Sequence, residues 1–265
     1  MATSKRLDFD VVVIGGGMVG LCFAALAAQD ERLQSWRIAI VEPTAATPPR
    51  EDRVDLRVSA LSRASERILR AADAWPYSDM VVWDAASRSD AWDALHFTAA
   101  ETGEADLGHI VENVRVQWAV LESRHLRSVT HIRAGLEALS FDDDAARVTL
   151  SDGRRLACSL VVGADGGQSR TRELCGIGRG GWSYGQTAVV AHLHTERPHR
   201  HTAWQRFLPD GPLAFLPLRD GRVSLVWTTS SDAAPELTAA SPTDFSRRVA
   251  EASDRVLGTV ELDSE

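Results

Sequence analysis

Three groups of residues have the types and spacing to do chemistry. The first is Gly15-Gly16-Gly17-Met18-Val19-Gly20, a GxGxxG set between a β-branched run and an apolar, alanine-rich stretch. Glycine permits a tight turn at Gly15, lets backbone N–H groups approach a pyrophosphate at Gly17, and lets a helix pack closely on a strand at Gly20. Glu42 stands 22 positions after Gly20 at the end of the next apolar run, where a carboxylate accepts hydrogen bonds from the ribose of an adenosine half. Taken alone, these residues also fit a glycine-rich turn with a surface glutamate. The second group, Gly163-Ala164-Asp165-Gly166-Gly167-Gln168-Ser169-Arg170-Thr171-Arg172, follows the apolar Leu160-Val161-Val162. In isolation it reads as an Asp-Gly turn with Ser169 capping a helix, a reading that loses ground once it is joined to the first group. The third is Arg57 in Asp55-Leu56-Arg57-Val58-Ser59-Ala60-Leu61-Ser62, either a solvated helix-start arginine or a guanidinium fork that pairs with phosphate oxygens.

Other candidates carry less. His192, His194, His199 and His201 fall within ten residues, yet no carboxylate or cysteine ligand set accompanies them, so they read as exposed strand and loop residues and no metal is expected. No side chain can be nominated as a catalytic acid, base or nucleophile.

The elements that must position these groups follow from periodicity. Phe9–Ile14 is a continuous apolar run, the pattern of a strand buried on both faces; Met18–Gln29 then reads as a helix and Trp36–Val41 as a second strand. Strand, glycine turn, helix, strand is a βαβ unit with a parallel pair. Ser59–Ala72 carries Leu61, Ala64, Ile68, Leu69 and Ala72 at helical spacing. Short strand-like runs are expected at Met80–Trp83 and Ala94–Phe97, a helical stretch around Val116–Arg127, and strands at Ala138–Phe141 and Arg147–Leu150. The turn Ser151-Asp152-Gly153 joins the last of these to Arg155–Val162 as a hairpin. Thr187–Leu193, Ala203–Phe207, Leu213–Leu218 and Arg222–Thr228 alternate between turn signals, as in an antiparallel sheet. Pro242–Leu257 reads as a closing helix with no strand after it.

Composition bounds the rest. With 265 residues, 44% of them hydrophobic, the chain can bury a sizeable core. Its 29 Lys and Arg against 37 Asp and Glu leave a net charge of −8, which repels polyanions and argues against nucleic acid as a partner. Cys22, Cys158 and Cys175 are odd in number and widely spaced, which suggests neither disulfides nor zinc and fits a reducing cytoplasm. No signal peptide or membrane span is expected, so any membrane contact is peripheral.

The GxGxxG near the start and GADGxxSxxR far along the chain together resemble the FAD-dependent aromatic hydroxylases related to p-hydroxybenzoate hydroxylase. Asp55–Ser62 is similar to the D-x-R-V-x-A-[LI] segment of the ubiquinone-biosynthesis hydroxylases in that group. Glu112-Asn113 with Gln117 resembles another of their segments, from which Trp118 and Arg124 depart. Tyr184-Gly185-Gln186-Thr187-Ala188, Arg206-Phe207, Gly211–Leu218 and Ser224–Trp227 are similar to their substrate-side sheet.

The resemblance implies an α/β fold: a Rossmann-like FAD-binding βαβ portion over residues 1–75 and 110–182, and an antiparallel substrate sheet over 76–109 and 183–265. It implies that Gly15, Gly17, Gly20, Glu42, Arg57, Gln117, Asp165, Gly166 and Arg172 bind the cofactor, with Arg57 on the FAD phosphates and Gln117 on the flavin chain. Asp165 would contact the ribityl–pyrophosphate region, and Arg172 would organise the approach of NAD(P)H. The implied reaction is hydroxylation of a polyprenylated phenol in ubiquinone biosynthesis by a C4a-hydroperoxyflavin, with NAD(P)H as reductant. A homodimer, contact with a biosynthetic assembly and peripheral association with the inner membrane go with it. Because the family continues into a Gly-Asp-Ala-Ala-His segment that this sequence does not contain, FAD is expected to be held weakly or not at all, with doubtful activity. Two rival classes share part of the pattern: a non-catalytic partner in a biosynthetic assembly, and a flavin-free NAD-dependent dehydrogenase. Asp165-Gly166 and the lack of a Tyr-Lys or His-Asp constellation argue against the second.

Overall fold

Residues 7–65 and 75–263 are described by the structure, a computed structural model. In chain order, β1 (Phe9–Ile14), α1 (Met18–Gln29) and β2 (Ile38–Val41) come first. Then follow β3 (Val58–Ser62), β4 (Trp75–Tyr77), β5 (Asp79–Asp84), β6 (Leu95–Thr98), the short α2 (Ala99–Thr102) and β7 (Gly108–Glu112). Next come α3 (Asn113–Leu121), β8 (Thr130–Ile132), β9 (Leu136–Phe141), β10 (Ala146–Leu150), β11 (Arg155–Gly163) and α4 (Arg170–Leu174). The last stretch holds β12 (Gln186–Thr195), β13 (Thr202–Leu208), β14 (Gly211–Pro217), β15 (Val223–Ser230), α5 (Ala233–Thr238), α6 (Pro242–Ala252) and β16 (Val260–Leu262). The chain divides into two units, Met1–Pro49 with Asn113–Gly181 and Arg50–Glu112 with Trp182–Glu265.

The first unit is a six-stranded sheet in the order β8-β2-β1-β11-β10-β9. Its first four strands are parallel, and β10 and β9 run antiparallel. Strand β1 lies between β2 and β11, and Val11, Val12 and Val13 are wholly inaccessible to solvent. A central parallel strand is covered on both faces, which is why its sequence is apolar without alternation. Helix α1 presents Gly20, Leu21, Ala24 and Ala27 inward. The hairpin between β10 and β11 closes on Gly153, whose φ of +85° is a left-handed conformation that glycine adopts without a steric penalty.

The second unit holds a seven-stranded sheet in the order β16-β12-β15-β14-β13-β5-β6, together with a three-stranded sheet, β3-β7-β4. Strand β14 alternates: Leu213, Phe215 and Pro217 are buried, while Pro212, Ala214 and Leu216 are half-buried. Leu213 and Phe215 join Val189, Leu193, Val223 and Leu225 in a core that includes Phe245 and Val249 of α6. Ser241 caps α6 by accepting the Asp244 N–H, with Pro242 in the first turn, where a missing donor costs nothing. On the opposite face Val190, Val226, Ala214 and Gln205 lie in register across four strands and are half-buried, and Leu216 packs against Val54, Ile110 and Leu218.

Four expectations from sequence need correction. Ser59–Ser62, read as the start of a helix, belong to strand β3, which pairs antiparallel with β7, from Val58 against Glu112 to Ser62 against Gly108. Residues 63–65 are helical, and the remainder of that expected helix, with Ile68, Leu69 and Ala72, lies outside the described residues. The long sheet is not wholly antiparallel, since β5 runs parallel to β13. A strand does follow the closing helix: β16 pairs with β12, and its Leu262 N–H donates to the Ser246 hydroxyl of α6. Finally, His192 and His199 are buried, at 2% and 6% exposure, and not on the surface. His199 donates through Nε2 to the Leu218 carbonyl and accepts the His201 N–H at Nδ1, so burial, which lowers its pKa, leaves it as a structural, neutral imidazole.

Candidate functional site: a two-loop cradle in the first unit

Two loops meet at the C-terminal ends of β1 and β11. Gly15, at φ +109°, follows β1, and a Cβ there would fall 2.3 Å from the Ala164 carbonyl oxygen of the second loop. The Ala164 N–H in turn donates to the Ile14 carbonyl at 2.7 Å. A Cβ at Gly20 would lie 2.0 Å from the Gly15 carbonyl oxygen, so the helix can begin this close to the strand only without a side chain. Gly17 is different. It caps α1 with no side-chain bond, and its Cβ position has no atom within 4 Å. The first-turn amides of α1 have no intrahelical acceptor, which makes this open end a place for an anion.

Glu42 leaves the end of β2 toward the same loop. Its Oε2 accepts the Gly16 N–H at 2.8 Å and its Oε1 accepts the Thr44 N–H at 2.9 Å. The carboxylate is thus aimed by two backbone donors and retains lone pairs for further donors. Beside it lies a cleft of about 140 Å³ lined by Gly16, Leu21, Glu42, His131, Ile132 and Arg133. Burial pushes the His131 imidazole down, so it stays neutral at physiological pH. On the other side of the loop, Gln117 of α3 donates through Nε2 to the Gly16 carbonyl at 2.7 Å.

In the second loop, Asp165 is fully engaged within the chain. Its Oδ1 accepts the Ser169 hydroxyl at 2.6 Å, and its Oδ2 accepts the Thr171 N–H at 2.8 Å and the Thr171 hydroxyl at 3.0 Å. Burial raises its pKa, but these hydrogen bonds outweigh burial and leave the carboxyl below its ordinary value. Ser169 caps α4 by accepting the Arg172 N–H, and Gly166 sits at φ +81°. Arg172 reaches back to the Gly167 carbonyl at 3.1 Å.

The structure therefore gathers Gly15, Gly17, Gly20, Glu42, Gln117, Asp165, Gly166 and Arg172 in the first unit. Arg57 belongs to the second, where it is exposed just before β3 and its N–H is held by Asp55. Sequence reasoning passed over Gly16, whose Cβ would meet the Glu42 side chain at 2.8 Å, and also His131 and Arg133. The run of three consecutive glycines was the signal for Gly16; nothing local marks the other two. An acceptor carboxylate, an open helix N-terminus and an adjacent cleft fit the adenosine diphosphate half of FAD.

Residues 91–265 match the family described as FAD binding domain. The chain is 34% identical over 262 residues to the mitochondrial ubiquinone biosynthesis monooxygenase COQ6 of Rattus norvegicus, a match that covers 92% of this chain and 55% of that protein. It is 34% identical over 236 residues to the 3-demethoxyubiquinol 3-hydroxylase of Escherichia coli K12, covering 83% of this chain and 57% of that one. The chain thus spans about half the length of these curated relatives. Among solved structures, PqsL of Pseudomonas aeruginosa superposes with a TM-score of 0.71 at 22% identity, covering 96% of this chain and 72% of PqsL. The fold is that of the p-hydroxybenzoate hydroxylase-like monooxygenases, and the chain belongs to the family of FAD-binding monooxygenase domains whose members include the ubiquinone-biosynthesis hydroxylases.

Proposed function

We propose that this chain serves an FAD-dependent monooxygenase that hydroxylates a polyprenylated phenol on the route to ubiquinone, with NAD(P)H as reductant. The observation that carries the reading is the clamped glycine loop: a GxGxxG turn whose Gly16 N–H is held by Glu42 beside a cleft. The names of COQ6 and 3-demethoxyubiquinol 3-hydroxylase support the substrate class.

In this reading Gly15, Gly17 and Gly20 let backbone amides at the start of α1 meet the pyrophosphate, and Glu42 accepts the ribose hydroxyls. Arg57 pairs with phosphate oxygens, Asp165 and Gly166 shape the turn along the ribityl–pyrophosphate region, and Arg172 attracts the nicotinamide nucleotide. When bound, FAD supplies the redox chemistry, taking a hydride from NAD(P)H and activating O₂ for transfer to an aromatic ring. The chain's own task is to bind, orient and exclude water, and none of its side chains is assigned as acid or base. Of these residues, the glycine loop, Glu42, Asp165, Gly166 and Arg172 belong to the first unit. The half-buried face of the long sheet, with Val190, Ala214, Leu216 and Val226, suits an aromatic ring with an apolar tail. A homodimer and peripheral membrane contact belong to the same proposal.

The test is an absorbance titration of the purified 265-residue chain with FAD, followed by NAD(P)H oxidation with and without a prenylated phenol. Weak FAD binding, with ADP bound as well, is expected, and phenol-stimulated oxidation is expected to be slight. A chain that binds neither FAD nor ADP refutes the reading, and NADH binding with no affinity for FAD favours a dehydrogenase.

A further inference from the structure

We propose that Gln117 is a positioning residue of the glycine loop and acts on dinucleotide binding through Gly16, not through the flavin chain. The inference rests on the dinucleotide reading above and changes what the resemblance implies for this residue.

Gly16 is held from both sides. Its N–H donates to Glu42 at the end of β2, and its carbonyl accepts the Gln117 amide from α3, 101 residues away in sequence. A carbonyl can only accept, so the Gln117 group that faces it is the NH₂. The peptide joining Gly16 to Gly17 is planar and trans, and its C=O and N–H point in opposite directions. A bond that turns the Gly16 carbonyl toward α3 therefore turns the Gly17 N–H away from α3. Gly17 is the residue that opens α1, and its Cβ position is free of neighbours. Two glycines in succession have no side chains to limit φ and ψ, so without an external hold this peptide can rotate, and its N–H loses a fixed direction. Glu42 fixes one end of Gly16 and Gln117 fixes the other; together they set the peptide that a pyrophosphate meets first.

The experiment compares the wild-type chain with Gln117→Met, which keeps length and removes the donor, using ADP and FAD as separate probes. ADP carries the adenosine and both phosphates but no ribityl chain or ring. Loss of positioning lowers the affinity for ADP and for FAD by the same factor, roughly fivefold for one hydrogen bond. Amide exchange in the ligand-free chain should rise at Gly15–Met18 and not across the rest of the first unit, with the melting temperature nearly unchanged. Weaker FAD binding with unaltered ADP binding would overturn the inference and make Gln117 a flavin contact. Unchanged exchange at the glycine loop overturns it as well. If the wild-type chain binds neither probe, the dinucleotide reading fails, while the exchange measurement still decides whether Gln117 holds the loop.

Discussion

The two loops of the cradle sit side by side at the ends of neighbouring parallel strands, yet they are built on opposite principles. Gly15–Gly20 owes its shape to what is missing, since at Gly15 and Gly20 any side chain would collide with backbone at 2.3 and 2.0 Å. Gly163–Arg172 turns left-handed at Gly166 but is otherwise held by what is present, an aspartate, a serine and a threonine bonded to one another. A steric requirement is close to all-or-none, because backbone atoms cannot step aside as a side chain can. A hydrogen-bonded requirement is graded and depends on pH. Within the first loop, Gly17 departs from its neighbours, being open where they are closed.

The largest effect expected is that of Gly20→Ala, whose methyl group must displace the Gly15 carbonyl. We expect a loss of about 3 kcal/mol in denaturant unfolding, at the upper end for overpacking. A loss below about 1 kcal/mol would show that the helix can shift away from the strand, and the contrast between the loops would fall.

Asp165→Asn should come next, at about 1.5 kcal/mol, because the amide cannot accept from both Ser169 and Thr171 as the carboxylate does. The pH dependence follows from the direction of its shift. The folded-state pKa lies below the ordinary 3.8, so the stabilisation is fully present above 3.8 and is lost as pH falls through the folded value. Melting curves between neutral and strongly acidic pH should therefore fall more steeply for the wild type than for Asp165→Asn in that acid window. Parallel curves would remove Asp165 as the source.

The smallest stability effect is expected for Gly17→Ala, about 0.5 kcal/mol, since the new methyl meets nothing and only a helix cap is weakened. Its ADP affinity should nonetheless drop by about tenfold, as the methyl occupies the approach of the pyrophosphate. A Gly17→Ala chain as unstable as Gly20→Ala, or one that binds ADP normally, would erase the distinction between the open glycine and the closed ones.

Much of this was written locally in the chain. The run Phe9–Ile14, the glycines behind it, Glu42 at the end of the next strand and the Asp-Gly turn of the second loop are each decided by a few adjacent residues. Backbone freedom, apolar burial and hydrogen-bonding type are properties of the residues themselves, so the βαβ unit, its dinucleotide character and the family could all be read from sequence. What the tertiary structure alone decided are the pairings of residues remote in sequence. Ser59–Ser62 open a stretch with the spacing of a helix, yet they lie in a strand because β7 supplies ladder partners some fifty residues later. His192 and His199 look like surface histidines until the sheet and the Leu218 carbonyl close over them. Gln117 carries no local mark of its bond to Gly16. Each of these depends on which distant backbone group arrives within hydrogen-bonding reach, and that is set by chain topology rather than by local propensity.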